Sequence, residues 1–323
     1  MRDAYQLRGR PAGHRPPPWR DIRLLKVIGQ AIFLLLLAIV VVAGYLNLRA
    51  NLFALNMGTS FSFLNQPAGF EISGSDFRQS QTMFAAFMIG ASNTVKVALS
   101  GIVLASLFGL LIGLGRLSSN WLVRKAAIAY VEVFRNIPVL LIILFCYLGL
   151  VLQLPAEADA VRLGDLIVLS NKGVSLPWWG AGDQVVLSGQ FTALLLGLVF
   201  YTASHIAEVV RASILAVPRG QSEAANALGL SDRQRLRLVV LPQALRIMIP
   251  PLANQYLNLT KNSSLAVAIA FPEVSRIVNI AIGQRAPAPQ AVVVLMGFYL
   301  AISLSIALVT NVVNWRIGLR GAR

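Results

Sequence analysis

Charge is what this chain has least of. Only 13% of its 323 residues are Asp, Glu, Lys or Arg, against 56% hydrophobic. A soluble domain carries about 25% charged residues, so a compact water-soluble enzyme is excluded. Cysteine occurs once, at Cys146 in an apolar run, so no internal disulfide can form and the residue reads as a small buried hydrophobe. The two histidines, His14 and His205, lie far apart, which argues against a metal site, and none is assigned. No nucleophile–base set, cofactor fingerprint or Gly-x4-Gly-Lys-Ser/Thr phosphate loop occurs. The chain therefore offers no catalytic residue and holds no cofactor, and it is not expected to bind or hydrolyse ATP alone.

What the chain has is long apolar runs. A membrane helix needs about 20 mostly apolar residues. Val27–Leu46, Val97–Gly115, Ile137–Leu154, Ser188–Ala207 and Ala291–Trp315 qualify, and the third pattern reaches back toward Ala127. Ile247–Pro272 is a weaker run, interrupted by Pro250, Pro251 and Lys261. It reads as an irregular sixth span, of the kind tolerated inside protein or beside a cavity. The expected fold class is all-α, a polytopic membrane helical bundle of about six transmembrane helices.

Basic residues orient the bundle. The formal charge is +15. Nineteen Lys and Arg fall in the leader, the tail and the loops after the second and fourth spans, against six on the opposite side. This bias predicts cytoplasmic N- and C-termini. It also disfavours nucleic acid as a partner, because no single face gathers the charge. Residues 1–26 read as a cytoplasmic basic leader near anionic lipid headgroups, residues 27–46 as the first transmembrane helix, and 47–88 as a periplasmic segment. Residues 89–323 read as the main transmembrane domain, with a cytoplasmic loop at 212–245. The second outward segment, Pro155–Leu187, holds Trp178 and Trp179, read as interfacial anchors with a docking surface as the alternative.

The loop between the fourth and fifth spans carries the strongest local signals. A first short helix runs to about Leu228, and Gly229 is placed for a left-handed C-terminal cap. Ser231 can then N-cap a second helix, with Gln234 completing a capping box. Pro242 predicts an ending near Leu241. Ala224, Ala225 and Ala227 would let another protein approach the first helix closely. Two helices joined at a glycine also suggest a DNA-binding helix-turn-helix, but about 34 residues between spans provide no core for one.

Glu223-Ala224-Ala225, three residues, Gly229, nine residues, then Val239-x-Leu241-Pro242 resembles the cytoplasmic EAA loop of bacterial ABC importer permeases, with Val for Ile the one exchange. Tyr130–Pro138, His205-Ile-Ala-Glu208-x-x-Arg211, Pro218–Gln221, Asn254-Gln255-x3-Leu259 and Lys261–Leu265 look like the polar amino acid branch, the histidine/glutamine/general L-amino acid permeases. That branch often has Gln where this chain has Ile142. The resemblance covers about Asn93 to the C-terminus. It implies a type I ABC importer permease fold in a bacterial inner membrane. The function it implies is the transmembrane permease subunit of an ATP-driven importer of polar or general L-amino acids. It implies as partners an ATP-binding subunit dimer holding ATP-Mg, a second permease subunit of the same or another kind, and a periplasmic amino acid-binding protein. It makes Glu223, Ala224, Ala225, Gly229, Leu241 and Pro242 the ATPase-coupling loop. The alternatives are an ion-coupled secondary amino acid transporter and, more remotely, a membrane-tethered DNA-binding regulator.

Charged residues at membrane depth mark further sites, since one at a helix centre costs about 2.5–3.5 kcal/mol to insert. Glu132 and Arg135, three apart, can pair on one helix face, and Glu208 and Arg211 repeat the spacing. Both pairs read as gates or as structural braces. Asn254, Asn258, Lys261 and Asn262 form one polar stripe on the fifth span. It lines a translocation path or else hydrogen-bonds between helices. Gly109-x3-Gly113 in the second span permits close helix packing.

Overall fold

The computed structural model describes residues 22–54, 60–164, 167–177, 184–284 and 286–319. The chain divides into two units, residues 1–60 and 61–323. In the first, α1 (Ile22–Ala54) is a helix of 33 residues. At 1.5 Å per residue it is about 50 Å long, more than the ~30 Å hydrocarbon core requires. It includes the last residues of the expected leader and runs on past Leu46. Near its end the Asn51 amide donates to Asn47 Oδ1 across one turn, at 3.1 Å. Most of the basic leader, residues 1–21, lies outside the described residues.

The second unit begins with a short ordered segment and then α2 (Met83–Gly115), N-capped by the Thr82 hydroxyl. After α3 (Trp121–Asn136) and α4 (Val139–Leu144) the chain continues through a π turn and a 3-10 turn to Gln153. α3 and the α4 segment meet at 106°. Pro138 sits at the bend; it has no N–H to donate and pushes Ile137 out of helical geometry. The third span is thus a bent pair. α5 (Gly189–Leu215), α6 (Arg219–Ala227), α7 (Asp232–Arg235), α8 (Leu241–Asn262), α9 (Val274–Gly283) and α10 (Ala288–Leu319) follow. Among the described residues five helices are long and apolar enough to cross a membrane, or six with the bent pair counted as one span.

One expectation needs correction. Pro242 does not end a helix. It lies in the first turn of α8, where a missing N–H costs little, directly after a π turn at Leu236–Val240 that joins α7 to α8. The mostly helical bundle also carries, between α4 and α5, an antiparallel sheet of β1 (Val161–Leu163), β2 (Ile167–Ser170), β3 (Gly173–Pro177) and β4 (Gln184–Ser188), paired in chain order. Gly173 closes the β2–β3 hairpin at φ +129°, and a Cβ there would lie 1.9 Å from the Leu187 carbonyl oxygen, so only glycine fits. Trp178 and Trp179 lie outside the described residues.

α5 is the central helix of this unit. Leu194, Leu198 and Ile206 on it are fully buried with Val97 and Ala105 of α2, Ile143 of α4 and Leu259 of α8. The closest approach is to α2. A Cβ on Gly109 would stand 2.5 Å from Ile206 Cγ2, and one on Gly113 would stand 2.7 Å from Val210 Cβ. The glycine pair is therefore a contact surface in which even one methyl group has no room.

α9 is held between α2 and α10 by a fully buried carboxylate, Glu273. It caps α9 through Arg276 N–H at 2.9 Å. Its other oxygen accepts from Tyr299 of α10 at 3.0 Å and from Thr94 of α2 at 3.3 Å. Thr94 Oγ1 in turn accepts from Val274 N–H at 3.2 Å. Phe63, Phe70, Ile72 and Phe77 from the segment before α2 pack with Ile277 and Val278 of α9, so part of that segment is a packed apolar cap.

Gly113→Val is expected to lower stability by about 1–3 kcal/mol through overpacking, with Gly44→Val, where a Cβ meets nothing within 4 Å, as the neutral control; thermal unfolding in detergent reads both. Burial pushes the Glu273 carboxyl up. A raised pKa means that the fold favours the protonated form. That contribution is complete below the unfolded value of about 4.3 and is lost as pH climbs through the folded value. As pH rises above the unfolded value, the unfolding temperature should therefore fall more steeply in the parent chain than in Glu273→Gln. Equal slopes would remove Glu273 from the account.

Candidate functional site

The coupling arm is built from local chemistry. α6 ends at Ala227, and Gly229 takes φ +77°. Leu230 N–H donates to the Ala225 carbonyl at 3.1 Å and Gly229 N–H to that of Asn226 at 2.9 Å. This is the paired hydrogen bonding of a Schellman cap, which needs the left-handed residue that glycine supplies. Ser231 then N-caps α7, its own N–H donating to Gln234 Oε1 at 2.9 Å. Two side chains tie the elements together: Arg235 Nη1 donates to Asn226 Oδ1 at 2.7 Å, and Gln243 of α8 donates to Gln221 of α6 at 3.3 Å. Ala225 is buried within the arm. Glu223, Ala224, Ala227 and Leu228 are exposed, with Leu228 at 81%. Leu241 and Pro242 are also exposed, at the start of α8.

A charged cluster lies where α2, α3 and α5 come together. Glu208 accepts from Arg211 Nη2 at 2.6 Å, so that expected pair forms. Glu132 and Arg135 do not pair. Glu132 is exposed and has no ion pair among the described residues, while Arg135 reaches Glu208 at 3.7 Å. The bend after Asn136 turns Arg135 toward α5. Arg116, counted in the sequence only as a loop cation, donates to Glu208 as well. A signal for it existed: Gly109, Gly113 and Arg116 recur on the same helix face, and that face is the one against α5. One carboxylate thus gathers three guanidinium groups, an excess of positive charge.

Beside the cluster is a cavity of about 350 Å³. Arg135, His205, Glu208 and Gln255 supply its polar lining, with Ile247 and Pro251 from α8. The His205 ring lies 4.5 Å from that of Tyr201, tilted by 44°, with Nδ1 3.1 Å from the Tyr201 carbonyl oxygen. Pro251 cannot donate to the Ile247 carbonyl one turn earlier, which leaves a backbone acceptor at this wall. One guanidinium, a carboxylate, an imidazole and an amide together can hold both ends of a small zwitterion.

The polar stripe of α8 is on one face. Asn254, Asn258 and Lys261 are exposed and Asn262 is half-buried, while Leu259 and Thr260 turn into the core. None of the four stripe side chains makes a hydrogen bond or ion pair among the described residues. No cluster of three or more His, Cys, Asp or Glu able to hold a metal occurs among the described residues.

Comparison with known proteins bears on this arrangement. Residues 101–318 match the family described as binding-protein-dependent transport system inner membrane component. The chain is 37% identical to a general L-amino acid transport system permease protein, AapQ, of Rhizobium johnstonii, over 90% of this chain and 92% of that one. It is 36% identical to a putative amino-acid ABC transporter permease protein, YhdX, of Escherichia coli, over 88% and 93%. Its fold resembles the crystal structure of an amino acid ABC transporter with histidines, with a TM-score of 0.57 at 24% identity, over 72% of this chain and 94% of that one. A chain of the MetNI methionine ABC transporter gives a TM-score of 0.54 at 16% identity, over 73% and 97%. These matches displace the ion-coupled and DNA-binding readings. A permease of this kind is non-catalytic and binds no cofactor, and ATP is bound by separate ATPase subunits of the same complex. The multi-pass chain belongs to the binding-protein-dependent transport system inner membrane components, in the branch of amino acid ABC importer permeases.

Proposed function

We propose that this permease carries polar or general L-amino acids inward, with both termini and the coupling arm in the cytoplasm. The distribution of Lys and Arg supports that orientation, and the names of the similar permeases support the cargo. The observation that carries the mechanism is the arm itself. A largely exposed α6, closed by the Gly229 cap, is hydrogen-bonded to α7 and α8, and α8 runs unbroken from Leu241 to the polar stripe. Glu223, Ala224, Ala227 and Leu228 form the surface for an ATPase subunit, and Gly229 sets the angle at which that surface is presented.

The remaining partners follow from the exposed stripe. Asn254, Asn258 and Lys261 would be costly against lipid. A second permease subunit covers them and makes a shared polar path, in which Lys261 attracts the carboxylate and the asparagines receive the ammonium. The cavity beside Glu208 is the inner end of that path, and the Arg116–Glu208–Arg211 cluster braces its wall. A pair of ATPase subunits and a periplasmic amino acid-binding protein complete the transporter. ATP binding closes the ATPase pair, α6 moves with it, and α8 carries the motion into the path.

Reconstitution of the chain with its ATPase and binding protein in vesicles, followed by ATP-driven uptake of a panel of amino acids, tests the whole reading. Uptake that survives without ATP but collapses with an ionophore would defeat it. In that assay Gly229→Val should uncouple transport, because a β-branched residue in a left-handed conformation costs about 1–2 kcal/mol and the cap gives way; the protein should still insert. Lys261→Met should weaken transport with little change in the ATPase rate per assembled complex. Unchanged uptake kinetics would return the stripe to a packing role.

A further inference from the structure

The three guanidinium groups around Glu208 are not equivalent. Arg211 reaches both carboxylate oxygens, with Nη2 2.6 Å from Oε1 and Nε 3.4 Å from Oε2. Arg116 donates to Oε2 as well, and its side chain is only 12% exposed. Arg135 Nη1 stands 3.7 Å from that same oxygen. This is an ion pair, but it is too long for a hydrogen bond. The Arg135 side chain makes no hydrogen bond among the described residues, and it is 41% exposed. Of the three arginines, it alone lines the cavity of about 350 Å³.

Two guanidinium groups thus already match Glu208. The donors of Arg135 are left for a second carboxylate, which a planar guanidinium can hold through two parallel hydrogen bonds. The charge of the cluster points the same way. Three guanidinium groups surround one carboxylate, and Glu132, the one acid of α3, is exposed and does not line the cavity. The remaining polar lining includes the Gln255 amide and the His205 ring. With Nδ1 3.1 Å from the Tyr201 carbonyl oxygen, that ring has Nε2 as its free nitrogen. These groups can receive an ammonium without adding negative charge. Such an excess of positive charge acts more strongly away from bulk water. An amino acid with a second carboxylate relieves it, a neutral one leaves it, and a cationic one adds to it.

We propose that Arg135 determines specificity at the inner end of the path, by binding the side-chain carboxylate of an acidic amino acid. The cavity then ranks acidic amino acids above their amides and cationic amino acids last. This rests on the reading of the chain as an amino acid importer and adds the order in which cargo is accepted.

Glutamate and glutamine supply the test, because they share a shape and differ by one charge. The transporter is assembled in vesicles with its ATPase subunits and one binding protein throughout, and ATP-driven uptake of each is measured. The ratio of the two rates, compared between variant and parent, cancels changes in assembly and coupling and the preference of the binding protein. Arg135→Gln should lower the glutamate-to-glutamine ratio about tenfold, the loss of one hydrogen bond to a charged group, and should raise lysine uptake relative to glutamine. Arg135→Lys keeps the charge without the planar fork and should lose part of the ratio. Equal losses of glutamate and glutamine uptake, with the ratio unchanged, would make Arg135 a structural brace and overturn the proposal. If Arg135→Gln does not assemble, the lysine variant decides: an unchanged ratio there also overturns it. Calorimetric titration of the purified permease–ATPase complex with the two amino acids gives the preference without the binding protein. Absence of ATP-driven uptake of every amino acid by the parent would defeat the import reading, whereas glutamate binding no tighter than glutamine in the titration would defeat this one.

Discussion

The approach of α2 to α5 at Gly109 and Gly113 is the contact on which the rest of this unit depends. With no side chain at either position, the two backbones come close enough that Ile206 and Val210 press against α2 itself. In lipid there is little hydrophobic drive between helices, so close van der Waals contact of this kind holds them. The same approach brings Arg116, on the same face of α2, to Glu208 on α5. Glu208 then collects Arg211 from its own helix and Arg135 from beyond the next turn of chain. A polar cluster is thus organised by a steric feature two helical turns away. Shifting α2 outward would cost contacts along its length and would also leave a carboxylate and three guanidinium groups poorly matched.

The second organising feature is the continuity from α6 to α8. Every turn between them is closed by a specific device: a Schellman cap at Gly229, a capping box at Ser231 and a π turn at Leu236–Val240. The π turn has a physical purpose. A proline at 242 lacks the N–H that a regular helix would use, and the wider turn before it removes the need. The arm can therefore run into α8 without a break, and the polar stripe and the wall of the Glu208 cavity both ride on that helix. A load applied at Leu228 acts on a tied structure and is not dissipated in a loose loop.

How far the residues announced this depends on the range of the interaction. Gly229, Ser231 and Gln234 were readable because caps involve neighbours a few positions apart. The glycine pair was readable as a packing surface, though nothing in the sequence named α5 as its partner. Pro242 misled because a proline can end one helix or begin another, and the choice was made by the π turn before it. The hairpin at Gly173 was available in the alternation from Val161 to Leu187, but two neighbouring apolar segments drew the reading toward helices and loops. Glu273 went unread altogether: Glu is not among the usual N-cap residues, and its buried partners are Thr94 and Tyr299, each far along the chain.

By itself the sequence determined that the chain lives in a membrane, roughly where it crosses, where its arm turns and which face of α8 is polar. These are consequences of hydropathy and of chemistry within one or two helical turns. Only the tertiary structure decided that Arg135 abandons Glu132 for Glu208, that Arg116 joins them, and that Ala225 is covered while Leu228 is bare. Each of these depends on which helices meet and how closely. That is set by the packing of many side chains at once, and no short stretch of residues carries the information.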